Sequence, residues 1–404
     1  MTQVLPQIQV RFTTNQRQYI VTDSAILVPT NLRRYGLSEI INHLLGTEKP
    51  IPFDFMINGE FLRSSLDEYL KIAGLSTETT LTLEYVESIL PPRELSAFQH
   101  DDWISSVKIE QSMIVTGSYD NKIRIWNTSG ECKQTFSGHD APVKSIDLYC
   151  VQGERTICVS ASQDRTVRAW SILEEDYNDR CGLMYECRGH KGSVECVRFD
   201  AHGNQVASAS ADSTINLWNT LPPDEDELVT PETSHISREK PEIYVKKPEA
   251  TLLGHTGPVQ AIVYDDEYGS NRLYSGGWDH SVRMWDVESR VNVDTKNSDK
   301  VILCIAYSDV NLTKITLSSH QNWVSSLTWS PVSAYILASA SYDGTLKIWD
   351  IRSKTPLYTL SQRDNSKKLF CVDWNNGIIV SGGEDCQLRV YSGDKIHGES
   401  VSSE

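Results

Sequence analysis

Two periodicities divide the chain. Over the first ninety residues, short apolar runs at Ile8 to Phe12 and Gln18 to Val21 predict two strands separated by a polar turn. Leu37, Ile40, Ile41, Leu44 and Leu45 then recur at helical spacing, which predicts a helix with Ser38 as its N-cap and Gly46 as its stop. Phe53 to Ile57 reads as a third strand, Asn58-Gly59 as a hairpin turn and Phe61-Leu62 as the start of the return. Ser65 to Leu70 predicts a short helical turn, and Thr80 to Val86 alternates as a last strand.

Beyond residue 100 the helical period disappears and a decapeptide returns. Its copies are GSYDNKIRIW ending at Trp126, ASQDRTVRAW at Trp170, ASADSTINLW at Trp218, GGWDHSVRMW at Trp285, ASYDGTLKIW at Trp349 and GGEDCQLRVY at Tyr391. Each joins a small-residue strand end, a turn carrying an Asp and an alternating strand that closes on an aromatic. Gly-His precedes it at His139, His190 and His255, and Ser-His at His320. A period of roughly 40–45 residues with these marks resembles the WD repeat and predicts a β-propeller. The order of elements before it is that of a ubiquitin-like β-grasp domain. The expected architecture is mainly β: a ubiquitin-like domain over 1–90, a linker over 91–100 and a seven-bladed propeller over 101–404.

The WD-repeat resemblance implies a buried hydrogen-bonded chain in each blade. In the second blade its members would be His139, Ser160, Asp164 and Trp170, and the turn acids of the other blades are Asp120, Asp212, Asp279 and Asp343. Buried polar groups must be paired, so these residues read as structural rather than catalytic.

Two intervals depart from the period. Between Trp218 and Trp285 the excess lies in residues 220–249, where an acidic run (Asp224 to Glu227) precedes Arg238, Lys240, Lys246 and Lys247. That composition predicts a disordered surface loop, its basic half either a nuclear localisation signal or a solvated stretch. Between Trp285 and Trp349 the chain is too long for one blade and too short for two by roughly twenty residues. Val301 to Tyr307 resembles a first strand and Leu312 to Leu317 an outer one, with no decapeptide between. A closed ring cannot omit half a blade without exposing strand edges, so a missing segment is expected between Asn311 and Leu312. The seven blades then begin near Trp103, His139, His190, His255, Val301, His320 and Phe370.

The formal charge of −16 argues against nucleic acid as the main ligand, although a local basic patch is compatible with direct RNA contact. Nine cysteines without a Cys-x-x-Cys pair fit reduced thiols. No signal peptide and no long apolar run occur, which predicts a soluble intracellular protein without membrane attachment. No phosphate-loop, dinucleotide, zinc-protease or nucleophile-elbow motif is present, so no enzyme activity and no cofactor of its own are expected. The better signal is for binding. The residues before the turn acids include Tyr119, Trp278 and Tyr342, large aromatics suited either to an interface at one rim or to packing against neighbouring loops.

The segments RYGLSEIINHLLG (34–46), KPIPFDFMINGEFLR (49–63), LEYVESILPP (83–92), HDDWISSVK (100–108) and GGWDHSVRMWDVESR (276–290) together resemble the WD-repeat ribosome-biogenesis factors with a Notchless-like, ubiquitin-like N-terminal domain. The resemblance implies a nuclear scaffold, nucleolar and nucleoplasmic, in pre-rRNA processing and assembly of the large ribosomal subunit. Its propeller would dock on a block-of-proliferation-type WD-repeat protein, in company with a pescadillo-type protein, on the pre-ribosomal large-subunit particle. Its ubiquitin-like domain would be captured by the AAA ATPase midasin, a ligand carboxylate completing a Mg²⁺ site supplied by that partner. The matching segment is GLSTET (74–79), which makes Glu78 the metal-completing acid. The rival reading is a ubiquitin-ligase or proteasome adaptor with the propeller as substrate receptor. A third is a propeller enzyme with its site in the central channel.

Overall fold

The structure is a computed structural model that describes residues 6–47, 49–76, 78–151, 155–172, 182–220, 244–265, 271–308, 316–361 and 366–393. In the N-terminal domain, β1 (Gln7–Thr13), β2 (Ile26–Pro29), β3 (Phe53–Ile57), β4 (Glu60–Phe61) and β5 (Leu81–Glu87) form one sheet in the order β2-β1-β5-β3-β4. β1 and β5 are parallel, with Val10 opposite Leu81, and the remaining pairs are antiparallel. Helix α1 (Arg34–Leu45) lays Leu37 and Ile41 onto Ile8, Val10, Phe12, Leu83 and Tyr85, all at most 2% exposed. This is the β-grasp arrangement.

Three details follow from local chemistry. Gly46 ends α1 in the left-handed region at φ 65°, its N–H reaching the carbonyls of Asn42 and His43. Asn58 and Gly59, at φ 52° and 81°, turn β3 into β4 in the twist that a two-residue hairpin prefers. Ser65 and Glu68 form a reciprocal capping box on α2 (Leu66–Ala73).

Two elements differ from the pattern that the sequence predicts. Gln18–Val21 is no strand: Arg17–Tyr19 makes one 3-10 turn, and the second strand comes later, at β2. Tyr85 explains this, because its hydroxyl donates to the Tyr19 carbonyl and accepts the Val21 N–H, taking backbone groups that a ladder would use. Nor does Ser38 cap α1, which begins at Arg34. From inside the helix its hydroxyl donates to Ile51 O (3.1 Å) and accepts Phe53 N–H (3.0 Å), tying α1 to β3.

The rest of the described chain is a propeller. Its complete blades are six antiparallel sheets whose inner strands are Ile104–Glu110, Val143–Val151, Val194–Phe199, Val259–Tyr264, Val324–Trp329 and Leu369–Asn375. The ring closes by strand exchange. Glu94–Gln99 (β6), placed in a linker by the sequence reading, is the outermost strand of the last blade, with Leu388 opposite Phe98 and Val390 opposite Ser96. Neighbouring blades are stitched at the channel: Asp373 accepts Ile109 N–H (2.8 Å), Asp147 accepts Phe199 N–H (2.9 Å), and Ser105 donates to Val143 O (2.6 Å). Such side-chain bonds to inner-strand backbone tie each blade to the next.

Between the fourth blade and the Val324–Trp329 blade, Val301–Tyr307 occupies the position of an inner segment without strand pairing. Ile302 and Ile305 pack on Gly276 as Val143 and Ile146 pack on Gly117, and as Ile104 packs on Gly382. Among the described residues the ring therefore has seven inner segments, the fifth without a strand partner there. The junction of Asn311 and Leu312 lies outside the described residues.

Most of the acidic and basic loop also lies outside them. Its final residues depart from the expected disorder: Val245–Lys246 adds a parallel fifth strand to the second blade, with Glu186 opposite Val245. Lys246 is buried, its ammonium over the Tyr185 ring (4.0 Å) and bonded to Asn219 O (2.7 Å), so it is not available to a localisation receptor. Among the described residues no helix is long and apolar enough to cross a membrane.

The two domains touch. Leu357, beside the outer strand Tyr358–Ser361 of the sixth blade, packs on Met56, Phe61 and Val86. Tyr358 Oη donates to Ile89 O (2.7 Å), and a side chain at Gly59 would meet Arg352 O at 3.3 Å. Arg352 is itself held by both oxygens of Asp350 (2.9 and 2.6 Å).

Candidate functional site

Three constellations stand out, and the first is structural. In the second blade Trp170 Nε1 donates to Ser160 Oγ (2.9 Å), Ser160 meets His139 Nε2 (2.7 Å), and His139 Nδ1 meets Asp164 (2.7 Å). The same connectivity joins Trp218, Ser208, His190 and Asp212, then Trp285, Ser275, His255 and Asp279, then Trp349, Ser339, His320 and Asp343. One direction of donation, indole to hydroxyl to imidazole to carboxylate, satisfies every member when the imidazole proton is on Nδ1.

These chains have the connectivity of a hydrolase triad but not its exposure. Ser160 is 0% exposed and already accepts an indole N–H, so no substrate reaches it. Burial by itself would raise the Asp279 carboxyl. Hydrogen bonds from Ser281, the Thr256 N–H and His255 instead hold it down to about 2, and Asp343 is held similarly to about 2. Burial lowers the pKa of His255 and His320, favouring the neutral ring that the chain of donors requires.

The first blade departs from this pattern. His100 meets Thr116 (3.1 Å), which also accepts Trp126 Nε1 (2.9 Å), but Asp120 bonds Arg124 (2.6 Å) rather than the histidine. The Arg124 guanidinium lies against the imidazole. Burial first, and then this cation, lower the His100 pKa to about 4.

The second constellation surrounds one mouth of the central channel. Trp103, Tyr119, Phe370, Tyr342 and Trp323 form a ring-to-ring arc across three blades, each neighbouring pair 5.4 to 6.2 Å apart. Lys144 and Lys368 lie over the Tyr119 and Tyr342 rings at 4.6 and 5.4 Å. Trp278 stands across the mouth, its indole N–H on Gln260 (3.1 Å). The sequence-selected aromatics thus divide. Trp278 is 46% exposed, whereas Tyr119 and Tyr342 are half-buried and packed against neighbouring rings. Trp323 (57% exposed) and Trp103 (38%) were not singled out from the sequence, because they precede inner strands rather than turn acids.

Below the rim, the channel of about 550 Å³ carries mixed charge. Lys108 pairs with Asp147 (3.2 Å), and Arg198 is turned onto Ser145 and the Val197 carbonyl. Among the described residues no group of three acidic, His or Cys side chains could hold a metal ion.

The third constellation is a single side chain. Glu78 lies in the turn between α2 and β5, exposed, with its N–H on Ser76 Oγ (3.3 Å). Thr79 Oγ1 donates to Ser76 O (2.7 Å), so the turn is braced by its own hydroxyls. No ion pair holds the Glu78 carboxylate among the described residues. One such oxygen donor cannot bind a cation alone but can complete a shell built elsewhere.

Comparison with known proteins gives two kinds of profile match along the chain. The NLE (NUC135) domain profile matches residues 8–70, and the WD domain, G-beta repeat profile matches 93–127, 130–171, 181–219, 246–286 and 312–350. The "Ribosome biogenesis protein ytm1" of Schizosaccharomyces pombe is 38% identical over 95% of this chain and 96% of its own. The "Ribosome biogenesis protein YTM1" of Kluyveromyces lactis is 36% identical over 96% and 98%. The "Ribosome biogenesis protein WDR12 homolog" of Nematostella vectensis is 35% identical over 95% and 99%. By profile and by near full-length similarity, the chain belongs to the YTM1/WDR12 family of ribosome biogenesis proteins, an NLE domain joined to WD repeats.

Proposed function

We propose that the chain is a non-enzymatic scaffold of large ribosomal subunit assembly, acting in the nucleolus and nucleoplasm on pre-ribosomal particles. The aromatic rim docks a block-of-proliferation-type WD-repeat partner, with a pescadillo-type protein in the same complex. The ubiquitin-like domain offers Glu78 to midasin, whose Mg²⁺ it completes, so that the ATPase draws the scaffold away when its assembly step is done.

The observation that carries this reading is the exposed, braced position of Glu78 on a domain whose sheet and helices leave that turn free. The propeller contact is made elsewhere, through Met56, Phe61, Val86 and Ile89. Capture and scaffold docking then use separate surfaces. The carboxylate presents a hard oxygen, as Mg²⁺ prefers, and the midasin site supplies the remaining ligands. Co-purification tests the reading: the protein should bring down large-subunit precursors and the two scaffold partners. Recovery of proteasome or ubiquitin-ligase subunits in their place would replace it with an adaptor function.

A further inference from the structure

The loop between the strands Thr345–Asp350 and Tyr358–Ser361 of the sixth blade carries a hydroxyl beside the seat of the ubiquitin-like domain. Thr355-Pro356 lies between Arg352, whose carbonyl would meet a side chain at Gly59 at 3.3 Å, and Leu357, which packs on Met56, Phe61 and Val86. The hairpin of β3 and β4 therefore touches this loop on both sides of Thr355. Thr355 itself is exposed, and among the described residues its hydroxyl meets only Ser353 Oγ (3.2 Å). The chain has three Ser/Thr-Pro pairs. Thr230-Pro231 lies outside the described residues and Ser330 is 7% exposed, so Thr355 is the accessible one of the described two. The acids at the seat are already neutralised: Asp54 holds Arg34 (2.9 Å), and Asp350 holds Arg352 (2.6 Å). Glu60, the hairpin's own acid, stands opposite the core residue Ile57 and so points to the other face. Arg63 differs. Its guanidinium lies exposed over the Phe61 ring (5.2 Å), and no ion pair holds it among the described residues. Burial and then Asp54 raise the Tyr358 pKa while Arg34 and Arg63 oppose the rise, so both cations stand near the strand that Thr355 leads into.

We propose that Thr355 is a phosphorylation site for a proline-directed protein kinase, and that its phosphate clamps the ubiquitin-like domain to the propeller through Arg63. The kinase moves the γ-phosphoryl group of ATP: the bond to ADP breaks, a bond to Thr355 Oγ1 forms, and the hydroxyl proton passes to the kinase's base. Pro356 has no N–H to be left unpaired in the kinase cleft. The product carries about two negative charges and accepts charge-assisted bonds from a guanidinium, often as a bidentate pair. With the acids of the seat already paired, the new charge meets a free cation rather than a free carboxylate. Glu78 takes no part, so the clamp sets the posture of the domain independently of its capture.

Treatment of the intact protein with a cyclin-dependent kinase and MgATP, followed by mass spectrometry, tests the site, and phosphate should map to Thr355. Hydrogen exchange tests the clamp. Amides of 81–87 exchange when the ubiquitin-like domain unfolds, which must break the seat, so a tighter seat slows them. Phosphorylated wild type should exchange there at least about fivefold more slowly than unmodified protein. Thr355→Ala after the same treatment, and phosphorylated Arg63→Ala, should show no slowing. Absence of phosphate at Thr355, or phosphate there with unchanged or faster exchange, would overturn the proposal. Slowing that persists in phosphorylated Arg63→Ala would overturn the clamp through Arg63.

Discussion

Tyr358 Oη donates a 2.7 Å hydrogen bond to Ile89 O, joining the sixth blade's outer strand to the segment that leaves the ubiquitin-like domain. With Leu357 packed on Met56, Phe61 and Val86, this contact makes the domain's seat on the propeller a small apolar interface with one directed bond. Tyr358→Phe should weaken that seat by about 1 kcal/mol, the net worth of one such bond. Leu357→Asp buries a charge without a partner and should undock the domain while both folds persist. Small-angle scattering checks this: the radius of gyration should rise for Leu357→Asp, and an unchanged curve would show that the connection alone fixes the domain.

The buried chains make a second prediction. Ser160→Ala removes the atom that both Trp170 Nε1 and His139 Nε2 use. Leaving those groups unpaired should cost about 2–3 kcal/mol. Trp170→Phe removes one of them, so the double mutant should cost less than the sum by about 1 kcal/mol. Chemical denaturation of the four proteins measures the coupling, and strict additivity would remove the claim that these residues act as one unit.

Stability should also fall on acidification, in two windows with the same sign. His100 has a folded pKa of about 4 against 6.5 when unfolded, so between these values only the unfolded chain binds the proton. Stability from this group is full above pH 6.5 and is lost as pH falls toward 4, by at most ~3 kcal/mol. Asp279 and Asp343 add a loss between 3.8 and about 2, where the unfolded carboxylates protonate first. His100→Gln keeps a hydrogen-bonding side chain but cannot titrate, and should flatten part of the upper window in a series of urea melts. An identical pH slope in the variant would show that His100 takes up its proton alike in the folded and unfolded protein, so that its pKa is not lowered by folding.

At the rim the division between exposed and packed rings separates binding from folding. Trp278→Ala and Trp323→Ala together should weaken the propeller partner by a few kcal/mol with little change in Tm. Tyr119→Ala and Tyr342→Ala should lower Tm as well, since they open the arc around Phe370. Calorimetric titration with the WD-repeat partner, alongside thermal melts, distinguishes the two pairs. Full affinity in the folded tryptophan double variant would leave the rim without a binding role.

What the sequence made legible was what repeats or what is local. The decapeptide located the turn acids because the blades that carry it share small residues at the strand end, the same turn and a closing aromatic. Asn58-Gly59 and Gly46 were readable because few other residues adopt positive φ there at low cost. The misreadings came from long-range competition. Tyr85, distant in sequence, captures backbone groups of Tyr19 and Val21 and prevents a strand. Glu94–Gln99 has the polar composition of a connection and becomes a strand only because the last blade offers it an edge. Asp120 matches its counterparts in the motif, yet Arg124 takes its carboxylate away from His100. No local pattern marks Trp323 or Phe370 as rim residues, since closure of the ring is what brings them beside Tyr342.

The central claim is that Glu78 presents a metal-completing carboxylate, and its most direct test is capture of the intact protein by midasin in Mg²⁺ and in EDTA. Wild type should bind in Mg²⁺ and be released by chelation. Glu78→Gln should lose most binding, and Glu78→Asp should fail as well because its oxygen falls about one methylene short. Tm and propeller-partner affinity should stay within error, as expected for an exposed turn residue whose change alters stability by about half a kcal/mol or less. If Glu78→Gln binds the ATPase as tightly as wild type and EDTA releases neither, the carboxylate bridge is contradicted and the ubiquitin-like domain is recognised through another surface.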